Sequence, residues 1–126
     1  MSDKSDIQIV DAIIEKASIA QLEFEKNGSQ KAYDMAAQAV GWAIMEPSRN
    51  KELAELAVLT TGLGNVKDKI IKNHRKTLGL LRDISDVKTF GIIENNEENG
   101  IIKIARAIGV IGAVVPSTNP IATPAN

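Results

Sequence analysis

The first two thirds of the chain carry apolar residues at helical spacing. Ile7, Val10, Ile13, Ile14, Ala17 and Phe24 recur along one face, with Gln21 as a single polar interruption, and this period predicts an amphipathic helix. Asn27 and Gly28 end it, and Ser29 is placed to cap the next. The second helix is predicted through "QKAYDMAAQAVGWAIME", where frequent Ala suits close packing between neighbours, and Pro47 and Ser48 stop it. A third, "RNKELAELAVLTT", ends at Gly62 and Gly64.

The fourth predicted helix is "NVKDKIIKNHRKTLGLLRD". At 100° per residue, Val66, Ile70, His74, Thr77, Leu78 and Leu81 form one stripe, and Lys69, Lys72, Arg75 and Lys76 lie on the opposite side. A solvated face is the ordinary reading of those four cations, and contact with a phosphate-bearing ligand is the sharper alternative. His74, the one histidine, falls within the stripe. It is expected to be a packed, hydrogen-bonded and mostly neutral side chain. No second titratable partner stands at helical spacing on that stripe, as a catalytic role would require.

Beyond Asp86 the pattern shortens. "VKTFGIIE" and "GIIKIARAI" are rich in β-branched residues, and "NNEENG" between them supplies Asn and Gly where the chain reverses, so a β-hairpin is predicted. Then Ala107 to Val115 are all apolar or Gly, and three of the four prolines follow. "GVIGAVV" does not alternate, as a strand of a parallel sheet covered on both faces does not. Parallel strands need crossover connections, and only a few residues after Ile121 could open one. The expectation is the first strand of an α/β domain whose remainder is absent, in a fragment or a truncated reading frame.

Composition narrows the chemistry. A formal net charge of -1 makes no case for a nucleic-acid partner. There is no Cys, which removes disulfides, Cys nucleophiles and Cys metal ligands from this chain, and no metal site is expected. The apolar run before Pro116 is far short of the roughly 20 residues a membrane span needs, and neither a membrane partner nor a signal peptide is expected. A cytoplasmic setting follows as an expectation. The first helix begins almost at Met1, which argues mildly against an encapsulation helix ahead of it.

Three segments together carry a family resemblance. "TTGLGNVKDKIIKNH" (60–74), "KTFGIIENNEENGIIKIARAIGVIGAVVPSTNP" (88–120) and their spacing resemble the N-terminal region of the CoA-acylating aldehyde dehydrogenases, within the aldehyde dehydrogenase superfamily. Acetaldehyde and sulfoacetaldehyde dehydrogenases (acylating) belong to that group, and "PSTNPIATPAN" is more similar to the sulfoacetaldehyde branch. Arg106-Ala107 stands where members often carry Glu-Pro. The resemblance is strong from about Ala54 to Asn126 and holds in outline before it.

What it implies is an α/β fragment. Residues 1–87 would be the N-terminal helical layer, about four helices, of a cofactor domain. Residues 88–106 would be the β-hairpin of an oligomerisation arm, and residues 107–126 the first parallel strand and turn of an incomplete Rossmann-like NAD sheet. The family reaction is aldehyde plus CoA plus NAD or NADP to acyl-CoA and reduced cofactor, in an enzyme that is a homo-oligomer when complete. A Cys thiolate adds to the aldehyde, hydride leaves to nicotinamide, and CoA takes the acyl group. By position in "PSTNP", Asn119 matches the oxyanion-donating Asn, and Val115, Pro116, Ser117 and Thr118 match the stretch that lines the cofactor. Without the resemblance, Asn before Pro means only a turn. The particular aldehyde and the choice between NAD and NADP stay open, because the residues that read them follow later strands. This chain alone, lacking the nucleophilic Cys, is expected to be inactive. The rival reading is a non-catalytic helical interaction module that self-associates through its unpaired strand edges.

Overall fold

The computed structural model describes residues 4–125. Four long helices come first: α1 (Lys4–Lys26), α2 (Gln30–Met45), α3 (Pro47–Thr61) and α4 (Val66–Ile84). The strands β1 (Ile92–Asn96) and β2 (Ile101–Ile104) follow, and a short α5 (Ala122–Ala125) ends the described chain. The chain divides into two compact units.

One unit holds the chain up to Gln30 together with Lys88–Gly112. Its α1 matches the predicted helix, and its apolar stripe is solvent-facing, with Ile7, Val10, Ile13 and Ile14 all exposed. Gln30 pins the start of the second segment: its Nε2 donates to Thr89 Oγ1 at 3.1 Å, and its Oε1 accepts from Thr89 N–H at 2.8 Å. The hairpin is antiparallel, pairing Glu94 with Lys103 and Asn96 with Ile101, and a bulge lies between Ile92 and Glu94. Its reversal works as the sequence suggested. Asn96 Oδ1 accepts from Asn99 N–H at 2.9 Å, and Gly100 takes a positive φ of 64°. That is a conformation that a residue without Cβ adopts at little cost.

The second unit holds Lys31–Val87 and the chain from Ala113 onward. Pro47 and Ser48 do more than stop α2. Pro47 is the first residue of α3, where its missing N–H and fixed φ suit the helix start. Glu46 caps that start, its carboxylate accepting from Ser48 N–H at 3.2 Å and Arg49 N–H at 2.8 Å. At the other end Gly62 is left-handed, with φ 66°, and its N–H donates to Val58 O at 2.9 Å. Asn65 caps α4, its Oδ1 accepting from Asp68 N–H at 2.9 Å.

The core of this unit is small and partly polar. Ala54, Ala57 and Ala122 are buried alongside Asn50, Lys69, Asn73 and Thr77. Small residues let the helices approach. A Cβ on Gly41 of α2 would fall 2.6 Å from Leu81 Cδ1 and 3.3 Å from Thr77 Cγ2 of α4. Between α3 and α4, Asn73 Nδ2 donates to Asn50 Oδ1 and Asn50 Nδ2 donates to the Ile70 carbonyl, each at 3.0 Å.

The buried face of α4 differs from the predicted stripe. Lys69, Asn73 and Thr77 are buried, whereas His74 and Leu78 are exposed. At 100° per residue the centre of the buried face is rotated by about 70° from the centre of the predicted stripe. The cause is the Asn50–Asn73 pair, which turns Asn73 inward and carries Lys69 in beside it. His74 is therefore not the packed histidine that the apolar spacing predicted, and Lys69 is not on a solvated face. The strand expected over Gly109–Val115 does not form either: residues 105–116 take no regular structure, and Ile108 and Val114 are almost fully exposed. An extended segment needs a neighbour for its N–H and C=O groups, and the described residues provide none there. A few residues after Ile121 do open a helix, the four-residue α5.

Candidate functional site

The turn Pro116-Ser117-Thr118-Asn119-Pro120 lies against the N-terminal half of α4, within the second unit. Asn119 N–H donates to Pro116 O at 3.1 Å and closes the turn. Two lysines of α4 converge on the next carbonyl back. Lys72 Nζ donates to Thr118 O at 2.6 Å, and Lys69 Nζ reaches the same oxygen at 3.5 Å. They sit three residues apart, so both project from one side of the helix. Leu63, Gly64, Asn65 and Asp68 line a cleft of about 270 Å³ with these two lysines and Thr118.

The electrostatics are uneven. Burial, together with the charges of Lys69 and Lys76, holds the Lys72 ammonium below the usual lysine range. Lys69 is only 5% exposed. Neither ammonium forms an ion pair with a carboxylate among the described residues, so the Thr118 carbonyl dipole is their shared acceptor.

Asn119 is half-buried. Its Nδ2 donates to Thr123 Oγ1 at 3.0 Å, one turn further on at the start of α5. Its Oδ1 is buried and has no hydrogen-bond partner among the described residues. An Asn amide carries two N–H groups, and the contact to Thr123 takes one of them. Val115, Pro116, Ser117 and Thr118 lead into Asn119 as an exposed stretch. The structure thus joins Thr118 and Asn119 to one cluster with α4 and leaves Val115 to Ser117 uncovered. Lys69 and Lys72 were missed as members of this cluster by the sequence. Their spacing was visible, but apolar periodicity assigned them to solvent. Among the described residues, no group of three or more His, Asp or Glu is arranged to hold a metal ion. No helix among them is long and apolar enough to cross a membrane.

The chain shares 56% identity over 94% of its length with the sulfoacetaldehyde dehydrogenase (acylating) of Cupriavidus necator. Identity with the sulfoacetaldehyde dehydrogenase (acylating) of Bilophila wadsworthia is 47% over 75% of the chain. The chain is a homologue of the acylating aldehyde dehydrogenases. A third member, the succinate-semialdehyde dehydrogenase (acetylating) of Clostridium kluyveri, is 37% identical over 89% of the chain. These alignments cover 24%, 20% and 24% of the respective relatives, so the chain spans less than a quarter of their length. No protein-family model matches the chain.

Proposed function

We propose that this chain is the N-terminal part of an NAD(P)-dependent acylating aldehyde dehydrogenase that oxidises an aldehyde with CoA to the acyl-CoA. The observation that carries the reading is the 56% identity over 94% of the chain to a protein named for that activity. Three relatives are named for sulfoacetaldehyde, which makes an aldehyde bearing an anionic group the favoured substrate. The rival interaction module is not favoured, since the relatives are named as enzymes.

In this reading Asn119 is the oxyanion donor. As a nucleophile adds to the aldehyde, the carbonyl oxygen gains negative charge, and a preorganised N–H aimed at it stabilises that charge. The amide is suited to this because it does not titrate, and its N–H beyond the Thr123 contact is uncommitted. The nucleophilic thiolate comes from outside this chain, which has no Cys. Val115, Pro116, Ser117 and Thr118 flank the nicotinamide, which supplies the hydride acceptor when bound. Their exposure fits that role, because a flat ring has open access to the stretch ahead of Asn119. Residues 109–115 become the first strand of the cofactor sheet when neighbouring strands pair with them, and the 88–106 hairpin contributes to an oligomerisation arm. The same reading carries a homo-oligomer in the cytoplasm, with no nucleic-acid or membrane partner.

The test is an assay of the complete polypeptide that contains this segment. Sulfoacetaldehyde, acetaldehyde and succinate semialdehyde are offered with CoA and NAD⁺ or NADP⁺. Reduced cofactor should form only when aldehyde and CoA are both present, and not with the 126-residue chain alone. Reduction that ignores CoA, or no reduction with any aldehyde, contradicts the reading.

A further inference from the structure

A buried lysine without a carboxylate partner is a costly element, since a charge taken out of water needs strong compensation. Lys69 is such a residue at 5% exposed. Placing a second ammonium against the same oxygen adds repulsion, and the depressed basicity of Lys72 reflects both its burial and that repulsion. The two lysines sit on a carbonyl of the turn that carries Asn119, where an apolar pair would pack without these penalties. The arrangement therefore calls for an explanation beyond the packing of α4.

The peptide plane supplies one. The Thr118 carbonyl and the Asn119 N–H belong to the same rigid amide. Fixing the oxygen fixes the plane, and with it the Asn119 Cα from which the side chain departs. The same plane is held on its other side by Asn119 N–H to Pro116 O at 3.1 Å, and the side chain is held by Thr123 at 3.0 Å. We propose that Lys72 and Lys69 are positioning residues for the oxyanion donor: by gripping the Thr118 carbonyl they fix the direction in which the Asn119 amide is presented. The proposal rests on the reading of Asn119 given above. It assigns to two α4 side chains a part in the chemistry that neither performs by touching the substrate.

The experiment uses the complete enzyme and four variants: Asn119→Ala, Lys72→Met, Lys72→Arg, and the double variant Lys72→Met/Asn119→Ala. The readouts are kcat and the KM values for aldehyde, CoA and nicotinamide cofactor. Misplacing a catalytic group by about 1 Å can cost on the order of 10²-fold. Lys72→Met is therefore expected to lower kcat by roughly 10- to 100-fold while leaving KM for the cofactor within about 3-fold. Lys72→Arg, which keeps charged N–H donors, recovers most of the loss. The double variant falls no further than Asn119→Ala, because both changes act through one group. Should Lys72→Met not fold, Lys72→Leu, which also removes the donor, carries the same comparison.

The outcomes separate the two claims. An Asn119→Ala enzyme with undiminished kcat overturns the oxyanion reading and this proposal with it. A slow Asn119→Ala enzyme beside a full-speed Lys72→Met enzyme overturns the positioning role alone. So does a double variant whose losses multiply, or a Lys72→Arg enzyme no faster than Lys72→Met.

Discussion

Asn73 of α4 donates its Nδ2 hydrogen to Asn50 Oδ1 of α3 at 3.0 Å, and both side chains are almost completely buried, at 1% and 2% exposed. Asn50 passes the link on to the Ile70 carbonyl. A buried polar pair of this kind fixes one helix rotation among several that apolar contacts alone would allow. It also makes each partner dependent on the other.

Asn73→Ala is therefore expected to destabilise the second unit by about 1–3 kcal/mol, the cost of leaving a buried acceptor unmade. Adding Asn50→Ala should cost less than the sum of the two single changes. Urea unfolding of the four proteins of this double-mutant cycle checks it. Additive losses would mean that the two side chains do not depend on each other.

The helices and the hairpin were legible because they rest on local signals. Periodicity marked α1, Asn27-Gly28 and Gly62 marked ends, and the Asn- and Gly-rich reversal placed β1 and β2 within a few residues. The rotation of α4 was hidden because it is decided by a pair 23 residues apart in the chain, and apolar counting gives Asn73 no inward preference. His74 was placed in the core for the same reason. The turn holding Asn119 could be read from "PSTNP", whereas its grip by Lys69 and Lys72 could not, since it joins residues 49 and 46 positions apart. The apolar character of residues 109–115 was plain, but a strand is a property of two segments, and pairing cannot be read from one of them.

Glu46 gives α3 a pH dependence. The hydrogen bond from Ser48 Oγ, then the backbone N–H groups of Arg49 and Ser48, hold its carboxyl below the ordinary value of 4.5. A carboxyl lowered on folding contributes stability that is fully present above 4.5 and is lost as pH falls through the lower folded value. Amide exchange at Ser48 and Arg49 should accelerate over that window, relative to the intrinsic rate. Glu46→Gln, which does not titrate, should lack this step. A step of equal size in both proteins would assign it to another group.

Residues 109–115 should exchange their amide hydrogens at close to unfolded-chain rates in the 126-residue chain, since they take no regular structure in it. In the longer polypeptide proposed above, the same amides should be slowed by several orders of magnitude as ladder bonds form. Mass-spectrometric exchange on the two proteins compares them directly. Slow exchange across 109–115 in the short chain would show that the segment finds a partner strand without further sequence.

The oxyanion role proposed for Asn119 makes the outcome of a single substitution decisive. In the complete enzyme, under conditions where addition to the aldehyde limits the rate, Asn119→Ala is expected to lower kcat by about 10²–10³. Cofactor affinity should change far less. An unchanged kcat under those conditions would mean that Asn119 is not the oxyanion donor.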